Sequence, residues 1–167
     1  KYMVYNNGKE KEVYANIAKT VIRYLKKGST ILDFGCGPCD KTAVLQSMDY
    51  ICSGYDDLQD DWHKVSGNRE KIISFSNECG INFKQSVKEE FPFNKKSFDM
   101  IMLNDVLEHL HNSPRDLLNE LLELCKPNGL LFITVPNAVN IRKRRDVFFG
   151  KTNHPNFHDY YWSSANW

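Results

Sequence analysis

The segment Asp33-Phe-Gly-Cys-Gly-Pro-Cys-Asp40 gathers two carboxylates, two thiols and two glycines. It follows Thr30-Ile-Leu-Asp-Phe34, a short apolar run that reads as a strand, and it opens a helical stretch containing Ala43, Val44 and Met48. Glycines at a strand's carboxyl end let backbone approach a ligand closely. A dinucleotide turn of the form Gly-x-Gly-x-x-Gly would seat a pyrophosphate on the helix N-terminus. Here Asp40 takes the sixth position, where a carboxylate repels phosphate and competes for the same amides. Asp40 is expected instead to cap the helix. Cys36-Gly-Pro-Cys39 is a Cys-x-x-Cys at a helix N-terminus, where the dipole is expected to depress a thiol pKa. A tight turn that holds no ligand is the plainest alternative.

Further titratable residues follow. Gly54-Tyr-Asp-Asp57 ends a second apolar run. Asp105, Glu108, His109 and His111 follow a nearly continuous one, Phe98-Asp-Met-Ile-Met-Leu103. Of the histidines, His109 is the best placed to take a proton from an acceptor, because it comes shortly after that strand. His154 and His158 lie far downstream, beyond the basic run Arg142-Lys-Arg-Arg145. That run is a candidate phosphate contact or a solvated helix face.

The elements that must position these groups alternate. Helices are expected over Glu10–Lys27 (Val13, Ile17, Val21 and Leu25 inward), Arg69–Cys79 (Ile72, Ile73 and Phe75 inward) and Pro114–Lys126. Strands are expected at Thr30–Phe34, Tyr50–Tyr55, Ile81–Gln85, Phe98–Leu103 and Leu130–Val135. Leu58–Asn68 reads as loop, and Pro127-Asn128-Gly129 as a break before the last strand. Alternating strands and helices imply right-handed crossovers and a parallel sheet. In 167 residues one domain is the default. A net charge of +1 argues against general binding to nucleic acid or to a membrane surface. There is no apolar run of about 18 residues to cross a bilayer. Five cysteines, an odd number with no signal peptide, point to a reducing, cytoplasmic compartment. The chain starts at Lys1, so it is expected to be part of a longer product.

The Cys-Gly-Pro-Cys tetrapeptide resembles the active-site motif of thioredoxins, although Gly35 stands where that family has Trp. Across Ile31–Pro136 the chain more closely resembles the class I S-adenosylmethionine-dependent methyltransferases. Asp33-x-Gly35-x-Gly37 matches their first motif, with Cys39 in place of a common glycine. Asp56 matches the acidic end of strand two. Phe98–Leu110 matches strand four and its continuation, and Leu124-Cys-Lys-Pro-Asn-Gly-Leu-Leu-Phe-Ile133 matches the turn before strand five. The resemblance implies a Rossmann-like, doubly wound α/β fold with a mostly parallel sheet, and S-adenosylmethionine as cofactor. It implies Asp33, Gly35, Cys36 and Gly37 at the methionyl end and Asp56 and Asp57 at the ribose. Ser86 and Val87 fall near adenine, the Ser86 hydroxyl or amide being a candidate contact, and Asn104 and Asp105 fall after strand four. S-adenosylmethionine carries a sulfonium and no phosphate, so acids at this turn are compatible with it. In this reading Cys36 packs under the turn, Cys39 packs against the first strand, and both remain free thiols.

The same resemblance implies methyl transfer to a small molecule or glycan, at oxygen, with His109 as base. Enzymes of bacterial surface-polysaccharide clusters resemble the chain in the Pro-Asn segment after strand five and in the aromatic tail. Asp105-x-x-Glu108-His109 with distal histidines is also similar to the cation site of small-RNA 2′-O-methyltransferases, whose ligands suit Mg²⁺, Mn²⁺ or Zn²⁺. A non-catalytic cofactor-binding module is a further alternative. The family usually has seven strands and five are legible, so a C-terminally truncated sheet is expected, with strand five covered by a second copy or by missing sequence. The expected division is a helical cap over 1–29, a core over 30–136 and an acceptor-side tail over 137–167.

Overall fold

The computed structural model describes residues 8–59, 61–65, 67–86, 91–110, 112–137 and 141–151. His111, Val87, His154, His158 and the aromatic tail lie outside them.

β1 (Thr30–Phe34) sits at the centre of a five-stranded parallel sheet ordered β3-β2-β1-β4-β5. β2 (Ile51–Asp56) and β3 (Asn82–Gln85) lie on one side of it, and β4 (Phe98–Asn104) and β5 (Cys125–Thr134) on the other. The chain therefore reverses its direction of travel across the sheet beside β1, and the carboxyl ends of β1 and β4 flank that switch point. Thr30 pairs with Ile51, while Ile31 pairs with Met100.

Both central strands are apolar on both faces because helices cover both. Ile31, Met100 and Met102 enter a cluster with Ile17 and Val21 of α1 (Gly8–Tyr24) and Leu45 of α2 (Asp40–Gln46). Leu32, Ile101 and Leu103 enter the opposite cluster with Leu121 and Leu124 of α5 (Arg115–Leu124). Ile101, Leu103 and Leu121 are wholly buried, and truncating any one to alanine would cost about 2–5 kcal/mol. A third cluster joins Cys36, Cys39, Leu58 and Ile81 to Ile72 of α4 (Asn68–Glu78).

Several expectations need correction. Val13 and Ile73 are exposed. The buried stripe of α1 runs through Tyr14, Ile17 and Val21, and α4 turns Ile72 and Ser76 inward. The expected loop after β2 contains a helical turn, α3 (Asp61–Lys64), whose His63 is buried. Pro127-Asn128-Gly129 does not precede β5 but bulges within it. Phe98 pairs with Cys125 and Met100 with Leu130, so residues 126–129 stand opposite Asp99 alone. Asp99 anchors the bulge by accepting from Lys126 Nζ, from the Thr30 amide and from Thr30 Oγ1, each at 2.8 Å. The remaining elements are a 3₁₀ turn, η1 (Leu107–His109), and α6 (Ile141–Phe148).

Candidate functional site

The turn after β1 is tied to the end of β2. The amides of Gly35 and Cys36 donate to the Tyr55 carbonyl at 2.8 and 3.3 Å. The Gly37 amide donates to Asp56 Oδ2 at 2.7 Å, and the Leu58 amide donates to Asp56 Oδ1 at 2.7 Å. One carboxylate thus closes the turn on one side and the loop after β2 on the other. Burial pushes the Asp56 carboxyl up, while the Leu58 and Gly37 amides and the charge of His63 pull it back.

Both glycines are required, for different reasons. Gly35 has φ +71°, and a Cβ there would stand 2.5 Å from Cγ2 of Val106, so the turn could not sit against the exit of β4. Gly37 has φ +51°, and no atom of the described residues lies within 4 Å of where its Cβ would be. Its freedom therefore serves open space above the turn rather than protein packing.

Asp33 is 1% exposed at the end of β1 and accepts from Thr42 Oγ1 at 2.6 Å. Burial pushes its carboxyl up to about 6, against the Thr42 hydrogen bond and the charge of Lys41. Lys41 also reaches Asp105 Oδ2 at 3.7 Å, which links the start of α2 to the loop after β4. Asp105 is exposed, adopts φ +58° and donates its amide to the Thr134 carbonyl at 3.1 Å. Asn104, the last residue of β4, is buried. Its Oδ1 accepts from Thr134 Oγ1 at 3.3 Å, and its Nδ2 has no partner among the described residues. Asp57 is exposed and its Oδ1 accepts from the Gln59 amide. The Ser86 amide, one of the two atoms expected near adenine, instead donates to the Asp56 carbonyl at 2.8 Å, leaving the hydroxyl. His109 is exposed on η1.

Asp40 does not cap α2. Cys39 holds that position at φ 60° with no side-chain cap, and Asp40 is the first helical residue. The Asp40 carboxylate is instead fixed by the Lys41 amide and by the hydroxyl of Tyr14 on α1.

The thiols are placed for packing. Cys36 Sγ lies 3.4 Å from Cys39 Sγ, both side chains are buried, and Cys36 and Cys39 are free cysteines. Burial, then the neighbouring thiol, pushes the Cys36 thiol up, opposite to the depressed value expected from the helix dipole. A nucleophilic cysteine needs the reverse. Both sulfurs sit over Gly54 of β2, so Cys39 packs against the second strand and not the first. Among the described residues no three His, Cys, Asp or Glu side chains converge on a metal position.

Three contributors were missed by sequence reasoning, Thr42, Lys41 and His63, and a fourth, Gly54, was read only as the start of the acidic end of strand two. Gly54 did leave a signal, since a glycine inside a strand marks close approach by something else.

The family model described as "Methyltransferase domain" matches residues 9–163. The chain belongs to the class I S-adenosylmethionine-dependent methyltransferases. This methyltransferase domain is 31% identical over 120 residues to the ubiquinone biosynthesis O-methyltransferase of Rickettsia typhi, covering 72% of the chain and 44% of that relative. It spans less than half the length of the first curated relatives it matches. The PH0226 protein of Pyrococcus horikoshii has the same fold, with a TM-score of 0.60 at 22% identity over 80% of this chain and 62% of that one. So does the [4+2]-cyclase SpnF, with a TM-score of 0.59 at 19% identity over 74% and 44%. A cyclase among the neighbours shows that the methyltransferase fold alone does not fix the reaction.

Proposed function

We propose that this domain binds S-adenosylmethionine over the turn between β1 and α2 and directs methyl transfer to an oxygen of a small-molecule or glycan acceptor. The observation that carries the reading is the junction of Gly37 and Asp56. A glycine amide with open space above it is bonded to a carboxylate at the end of the neighbouring strand. The residues present fit the cofactor. Each Asp56 oxygen spends one lone pair on an amide and keeps another for a ribose hydroxyl. The unpartnered Nδ2 of Asn104 offers a buried donor beside the switch point. Asp33 and Asp56 make the turn acidic, which suits a sulfonium cation.

When bound, the cofactor supplies an electrophilic methyl group with a good leaving group already in place. The protein's task is then alignment. In this proposal Asp33 and the Gly35–Gly37 backbone hold the methionyl end, with Cys36 contributing main chain only. Asp56 and Asp57 face the ribose, Ser86 and Val87 border the adenine, and Asn104 and Asp105 line the side facing β4. His109 takes the acceptor proton, and the tail over 137–167 shapes the acceptor side. The O-methyltransferase relatives support oxygen as the acceptor atom. A second copy covering β5 belongs to the same proposal, because β5 is an edge strand with Ile133 exposed.

Titration calorimetry with S-adenosylhomocysteine tests the reading. The unaltered chain is expected to bind saturably, and Asp56→Ala to bind roughly 10- to 100-fold more weakly. No binding by the unaltered chain, or full binding by Asp56→Ala, overturns it.

A further inference from the structure

We propose that α6 is an interfacial helix that docks this domain on an anionic lipid surface. The overall charge of +1 conceals a local concentration. Residues 141–151 include five basic residues (Arg142, Lys143, Arg144, Arg145 and Lys151) against a single acid, Asp146. The same segment exposes apolar side chains to a degree unusual for a folded surface. Ile141 is 82% exposed, Phe148 83% and Phe149 68%.

The spacing arranges these residues by face. At 3.6 residues per turn, Ile141 and Phe148 fall on one ridge, because they are seven positions apart. Arg144 and Arg145, three and four positions after Ile141, flank that ridge on either side. Asp146 falls on the far side of the helix. Its exposed contact with Arg145, at 3.2 Å, is of the kind worth little in solution and leaves the guanidinium able to face an anion. Just past the helix, Phe149 packs edge-on against Phe148 at a centroid distance of 5.4 Å, so two rings form one apolar tip.

An apolar ridge bordered by arginines, on a helix whose other positions are mostly charged, suits the boundary between headgroups and acyl chains. Rings and the isoleucine would enter that boundary, and guanidinium groups would meet phosphate. A cluster of this many basic residues beside an apolar face is the pattern that anionic bilayers attract. The helix follows β5, whose carboxyl end also presents Thr134 to Asn104. Neither Ile141 nor Phe148 contributes to the sheet's hydrophobic clusters, so the proposal is independent of the cofactor reading.

Vesicle flotation tests it, using the full chain and two vesicle types: phosphatidylcholine alone, and phosphatidylcholine with phosphatidylglycerol. The chain is expected to float with the anionic vesicles and not with the neutral ones, and to be released at high salt. Arg144→Ala with Arg145→Ala is expected to weaken binding roughly thirtyfold. Phe148→Ser is expected to weaken it about tenfold or more. The circular dichroism melt of Phe148→Ser should match the parent, since that side chain is 83% exposed. Equal binding to both vesicle types, or none to either, overturns the proposal. So does full binding by Phe148→Ser, which would mark a charge-only site for soluble polyphosphates or nucleic acid. A concentration-dependent dimer that Phe148→Ser dissociates, with no flotation by the parent, would assign the ridge to a second copy instead.

Discussion

Cys36 Sγ rests against Gly54, at a distance where a Cβ on residue 54 would meet it at 3.0 Å. The sulfur fills the space that the missing side chain leaves, and Cys39 Sγ and a ring carbon of Phe83 border the same point at 3.4 Å. Gly54→Ala is therefore expected to cost about 1–3 kcal/mol by overpacking. Adding Cys36→Ala should recover part of that loss, because it vacates the contested space. Urea denaturation of the two single variants and the double variant checks this. Strict additivity would show that the two sites do not share that space.

Gly37 and Cys39, both left-handed positions of the turn, should respond differently to substitution. At Gly37 an added Cβ meets no atom of the described residues, so the folding cost of Gly37→Val is expected to come from placing a β-branched residue at φ +51°, about 1–2 kcal/mol. Its expected effect on S-adenosylhomocysteine binding is complete loss. Cys39→Gly relieves a left-handed residue at φ 60° while removing a buried side chain, and the two effects nearly offset. Cofactor affinity is expected to stay within a few-fold. Calorimetry and thermal melts on both variants separate the outcomes.

Asp33 predicts a pH dependence of known sign. Its carboxyl is raised from 3.8 to about 6 in the folded protein, so the fold binds this proton more tightly than the unfolded chain does. The resulting stabilisation is fully present below about pH 3.8 and is lost as pH rises through 6. At neutral pH the charged form costs about 3 kcal/mol relative to a neutral isostere. Asp33→Asn keeps an oxygen to accept from Thr42 and should melt higher than the parent at pH 7.5. The gap should narrow at pH 5. Cofactor affinity should fall in the same variant, which would identify Asp33 as a residue held for binding at the expense of stability.

Asp99 predicts an effect far from the site. It is the shared acceptor for Thr30 and Lys126, so Asp99→Ala unpairs a β1 amide and frees the bulge of β5. A loss of about 1–3 kcal/mol is expected. Lys126→Met should cost less than about 1 kcal/mol, because its ion pair is partly exposed. Chemical denaturation of the two variants ranks them.

The parallel sheet was legible because its central strands are written as short apolar runs. Phe98–Leu103 is a nearly continuous apolar run, as expected of a strand covered on both faces, and Thr30–Phe34 runs into the glycine turn that opens α2. Asp33, Gly37 and Asp56 stood out as candidates for a related reason, each lying at or just beyond the carboxyl end of such a run. The rest depends on contacts distant in sequence. Leu58–Asn68 looks like loop because its polar residues show no period, yet one helical turn forms there and buries His63 near Asp56. Pro127-Asn128-Gly129 carries the composition of a break. Only the pairing of Cys125 with Phe98 and the pull of Asp99 on Lys126 turn it into a bulge. Likewise, the dipole argument for a reactive Cys36 considers one helix end and omits the burial that outweighs it.

The pairing of β1 with β4 also bears on how the chain is made. Thr30 and Asp99, which bond across these strands, are 69 residues apart. A ribosome adding roughly 5–20 residues per second needs about 3–14 s to cover that interval. Until β4 emerges, β1 has β2 on one side and an open edge on the other. Ile31 and Leu32, wholly buried at the end, are then part of an incomplete sheet. This is the interval in which the nascent chain is most open to wrong strand partners and to capture by a holding chaperone. Its length follows from where β4 lies in the gene, so an insertion between Gln85 and Phe98 would prolong that exposure even if the finished fold were unchanged.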